Sequence, residues 1–160
     1  MSVQTIRRTI ELMDVGTVKV DYTQRLEAMI RRSDWSQISP YVDSANFPVK
    51  PIRSGEVPIA LLTSIRRVAL SNIPSLIKEA DCLPACLPEM LDLAARQPNL
   101  VKRFPILVVE QTWKTANGVF VPCIRLHDIR RHLGLYALEL FLPPNFSFAV
   151  VRNIQEAQLF

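Results

Sequence analysis

The sequence predicts an α+β domain with a mainly antiparallel sheet and two or three short helices. Three observations carry that expectation. Twelve prolines cut the chain into short elements, which argues against long bundles and coiled coils. Helical periodicity is clear over one short window, where Leu87, Met90, Leu91 and Ala94 fall at i, i+3, i+4 and i+7. Apolar runs of strand length, separated by turn residues, fill roughly the last 55 residues.

Taken in order, Thr5 to Met13 reads as a strand that Gly16 turns. Val18, Val20 and Tyr22 alternate with Lys19 and Asp21, the period of a half-buried strand. Thr23 is placed to cap a helix over Gln24 to Arg32, with Leu26, Met29 and Ile30 on its inner face. Segment 36–52, with Pro40, Pro48 and Pro51, reads as an irregular connection, the place for any subdivision of a single domain over 1–160. Val57 to Ile65 reads as a buried strand, and Ser71 or Asn72 caps a short helix reaching Ala80. The helix at Leu87 to Arg96 carries Pro88 and Glu89 in its first turn and is stopped by Pro98. Ile106 to Trp113 and Val119 to Leu126 flank Thr115-Ala116-Asn117-Gly118, where Asn-Gly predicts an antiparallel hairpin because both residues tolerate φ > 0. Leu135 to Leu142 and Phe146 to Arg152, separated by Pro143-Pro144-Asn145, supply further strands.

At 160 residues with 49% apolar and 21% charged composition, the chain has the material for one ordinary globular core. Its four glycines are too scattered for a phosphate loop or a dinucleotide-binding turn, both of which need clustered glycines to bring backbone N–H groups to phosphate. The longest apolar runs are about six residues, against roughly 20 for a membrane-crossing helix. Arg7, Arg8, Glu11 and Asp14 leave no apolar core for a secretory leader. Three cysteines are an odd number for a disulfide framework. These features predict a cytoplasmic protein with no membrane association and no cofactor.

Cys82, Cys86, Cys123 and His127 form two pairs with zinc-like spacing, but their helix-start and strand positions read as those of small core residues, so no metal ligand is assigned. His127 follows Cys123 by four residues, about 13 Å along a strand, too far for direct proton transfer to a thiolate nucleophile. Glu110 and Lys114 read as ordinary strand charges. The cationic residues are more distinctive than the net charge of +4: arginine outnumbers lysine 14 to 5. Four Arg-Arg doublets occur, Arg7-Arg8, Arg31-Arg32, Arg66-Arg67 and Arg130-Arg131. Arginine suits bidentate recognition of phosphate and carboxylate. Arg66, Arg67, Arg130 and Arg131 are the candidate nucleic-acid contacts, the first pair following a strand and the second in a loop leading to another.

Several stretches together resemble a set of small bacterial proteins of unassigned function. They are Val18 to Ile30, Asp34-Trp35, Leu87 to Ala94, Gln97 to Leu100, Arg103 to Val109, Val121-Pro122-Cys123 and Phe148 to Arg152. The resemblance implies no catalytic residues. It implies an apolar strand position at Cys82 and a threonine-type helix cap at Cys86. Leu87 to Leu93 and Phe148 to Arg152 are also similar to parts of the C-type-lectin-like fold, which implies a ligand-binding scaffold and no particular function.

The expected function is a non-enzymatic binding or interaction module with a macromolecular partner, a protein ahead of a nucleic acid. The alternative is nucleic-acid binding through the arginine doublets.

Overall fold

The computed structural model describes residues 3–100 and 105–153, with the backbone alone for Arg7. In chain order the strands are β1 (Val3–Arg7), β2 (Ile10–Val18), β3 (Gln37–Ile38), β4 (Val57–Ser64), β5 (Val68–Ala69), β6 (Cys82–Pro84), β7 (Ile106–Leu107), β8 (Trp113–Thr115), β9 (Gly118–His127), β10 (Arg130–Ala137), β11 (Phe141–Leu142) and β12 (Ser147–Arg152). The helices are α1 (Leu26–Arg31), α2 (Ile73–Glu79) and α3 (Leu87–Arg96).

Ten strands form one mixed sheet in the order β1-β2-β4-β12-β7-β9-β10-β3, with β6 also paired to β12 and β8 to β9. This corrects the expected mainly antiparallel α+β domain. The sheet takes strands from both halves of the chain, and β12–β7 and β10–β3 are parallel. The reason is physical. Periodicity and turn residues report a strand and its local hairpin, whereas parallel partners are distant in sequence and are chosen by burial.

Local corrections follow from the same register. The strand expected over Thr5 to Met13 is two strands, β1 and β2, joined through Arg8-Thr9. Gly16 does not turn the chain but lies at a bulge within β2. Its φ of +142 is one that L side chains rarely adopt, which favours glycine, and a Cβ there would also push aside the end of the Gln97 side chain. Val20 and Tyr22 lie outside β2. Thr23 does not cap α1; its N–H and hydroxyl both donate to Asp21 Oδ1, and Arg25 occupies the cap position. In the β8–β9 hairpin Thr115 pairs with Gly118, so Ala116-Asn117 rather than Asn117-Gly118 forms the turn. The strongest hairpin, β9–β10, turns at Asp128-Ile129, which carries no Asn-Gly signature.

The sheet separates two cores, as alternation along its strands requires. Val15, Ile59, Leu61, Ile106, Ile124, Leu133 and Ala149 face α1 and α3 on one side. Leu12, Leu62, Leu107, Val121, Cys123, Phe148 and Val150 face α2 on the other. The predicted inner faces of α1 and α3 are both buried. α3 is buried on its polar side as well, including Glu89 and Asp92.

Candidate functional site

Burying α3 on its polar as well as its apolar side from Leu87 to Ala94 creates a demand for cations that arginine meets. Glu89, with no exposed surface, closes a capping box on the Cys86 N–H at 2.8 Å. It also accepts from Arg53 Nε and Nη2, each at 2.8 Å, a bidentate buried pair. Asp92 accepts from Arg32 Nη1 at 3.1 Å and has Arg96 Nε at the same distance. At the other end Arg131 Nη1 donates to the Ala94 carbonyl at 2.8 Å, one of the helix's unpaired terminal acceptors. The Arg131 guanidinium also lies 4.9 Å from the Trp35 ring centre. Burial lowers its pKa from the ordinary value. Arg32, Arg53 and Arg131 therefore clamp α3 from outside, while Arg96 pairs with Asp92 within the helix.

This divides the candidate contacts. Arg131 is 8% exposed and turned toward the α3 core, whereas its neighbour Arg130 is exposed on the opposite face. The sequence places both in a loop; the structure places both in β10, where adjacent side chains point to opposite faces. Arg66 and Arg67 are exposed between β4 and β5, with the Arg67 guanidinium 4.3 Å above the Phe141 ring centre.

The register brings Arg130 to the same end of the sheet as Arg66. Thr63, Ser147, Ile106, Ile124 and Leu133 form one row across β4, β12, β7, β9 and β10. Arg66 lies in the bend just after β4 ends at Ser64, and Arg130 opens β10 three residues past that row on the same side. Four strand spacings separate their strands, about 19 Å. Ile10 pairs with Ser64, so the β1–β2 turn carrying Arg8 is at this end too.

A compact cluster stands on the outer part of β9–β10. Arg125 is opposite His132 and His127 opposite Arg130, so all four side chains project from one face. The two imidazole rings are 5.6 Å apart, and Asp128 Oδ2 is 3.6 Å from His127 Nε2. With Ser36, Gln37, Asp128 and Ile129, three of these residues (His127, Arg130 and His132) line an open cleft of about 540 Å³. Arg125, His127 and His132 were not singled out as contacts from sequence. The signal was their two-residue spacing along paired strands, legible once the hairpin register is known.

The thiols are shielded. Burial pushes Cys86 up to about 12 and Cys82 up to about 11. Cys86 Sγ contacts the Tyr22 hydroxyl at 3.7 Å. Among the described residues no three His, Cys, Asp or Glu side chains group as a metal site. Beside Cys86, Lys50, Glu110 and Gln111 line a cleft of about 140 Å³, and partial burial raises the Glu110 carboxyl above its usual range. No described helix is long and apolar enough to cross a membrane. No family model, curated protein or solved structure matches the chain.

Proposed function

We propose that the protein is a non-enzymatic binding module that engages a nucleic acid through the cationic end of its sheet. The observation that carries this reading is the register that gathers Arg125, His127, Arg130 and His132 on one solvent-facing side of the β9–β10 hairpin. Arginine and imidazole there meet phosphate oxygens, and Arg66 and Arg67 at the same sheet end extend the track beyond a single phosphate. The protonated, buried thiols favour binding over nucleophilic catalysis.

Fluorescence anisotropy with a 20-nucleotide DNA, single-stranded and duplex, over a salt titration tests the reading. R125A/R130A should weaken binding and lower the double-logarithmic salt slope by about one unit per lost contact. R131A should leave the slope unchanged, because that guanidinium faces α3. Wild-type protein that binds neither form at low salt refutes the reading. A protein partner is the second reading, favoured by Leu140 at 80% and Phe141 at 47% exposure beside Arg67, around a cleft of about 650 Å³.

A further inference from the structure

The apex of the same hairpin carries an inference that rests on the nucleic-acid reading. Asp128 and Ile129 have φ of 48° and 62°, as a two-residue type I′ turn requires. Among the described residues, the other non-glycine positions with positive φ are Asp81 and Asn145, and these, like Asp128, are Asp or Asn. Their short polar side chains tolerate the left-handed region. Ile129 is the exception, and a β-branched side chain is poorly suited there. It is also 92% exposed, more than any other large hydrophobic residue described. Two penalties thus fall on one residue, and no buried contact offsets either. An outlier of that kind, beside a cluster of cations, points to function rather than folding.

We propose that Ile129 is an apolar wedge that inserts between bases of a strand whose phosphates are held by Arg125 and Arg130. Its position at the tip of a two-stranded ribbon, directly before Arg130, places an aliphatic group ahead of the phosphate-binding face. Asp128, 90% exposed at the same apex, argues against a bilayer as the occupant. Insertion into lipid would carry its carboxylate into the interface, whereas a base edge offers it exocyclic amine donors.

The test uses I129N and I129G, both of which suit the turn better than isoleucine. Each should raise the Tm, by about 2–4 °C, so a binding defect cannot be assigned to misfolding. The probe is the 20-nucleotide DNA carrying 2-aminopurine, single-stranded and duplex. Wild-type protein should brighten it by unstacking the base. Both variants should bind at least about tenfold weaker and leave it dark, while the salt slope stays at the wild-type value. Variants that bind as tightly as wild type overturn the wedge. If R125A/R130A is still weakened in that case, the nucleic-acid reading stands without it. Wild-type protein that binds neither DNA form overturns both, and co-sedimentation with phosphatidylglycerol vesicles would then name the surface instead.

Discussion

Replacing Arg53 with alanine should be among the most damaging single substitutions in this protein. The Glu89 carboxylate has no exposed surface, and Arg53 supplies it with two donors at 2.8 Å. The same guanidinium donates to the Pro84 carbonyl at 2.9 Å, tying the irregular segment before β4 to the end of β6 as well. In R53A the Cys86 N–H remains as a donor to Glu89, and a charged group stays buried without its counter-ion. Breaking a buried pair in this way costs about 3–5 kcal/mol. Taking about 4 kcal/mol, the Tm of a chain this long falls by roughly 8–16 °C. Urea denaturation of wild type, R53A, E89Q and R53A/E89Q measures the pair directly. The double variant should recover part of the R53A loss, because it removes the stranded charge along with its partner. An R53A loss below about 1 kcal/mol, or a cycle with no coupling between the two sites, refutes the reasoning.

Three further outcomes are expected. G16A should lose about 1–3 kcal/mol in urea denaturation, since it forces an L side chain into a disfavoured φ and displaces the Gln97 amide that donates to the Val15 carbonyl; a wild-type midpoint would contradict the backbone strain. Glu27 is held down to about 2, chiefly by the Ser44 hydroxyl. Its folded pKa lies below its unfolded value, so its contribution is present above about pH 4.5 and fades as pH falls toward 2. E27Q should flatten that limb of the stability–pH curve modestly, because the side chain is 38% exposed. Iodoacetamide at pH 8 should leave the native protein unmodified and alkylate all three cysteines once urea unfolds it, with rapid native labelling at Cys86 arguing against its burial.

Much of the local structure was legible because its cause is local. The spacing of Leu87, Met90, Leu91 and Ala94, with Pro88 and Glu89 at the start, gives α3 its observed limits. The run from Val57 gives β4, and Leu26, Met29 and Ile30 give the buried face of α1. The β9–β10 turn is not legible in the sequence because Asp128-Ile129 breaks the Asn-Gly preference of such turns. That departure is what marks Ile129 as the candidate contact.

The sequence by itself determined which segments alternate, which carry a helical face and which side chains are rich in cations. Those properties depend on neighbours within a few residues. Tertiary structure alone decided that β4 pairs with β12, that β7 and β12 run parallel, and that Arg130 and Arg131 have opposite fates. Arg131 serves the open carbonyls of α3 and Arg130 faces solvent beside His127. A doublet read along the chain looks like one unit of charge. On a strand it is two residues on opposite faces, and which face is buried is set by helices and strands far away in sequence.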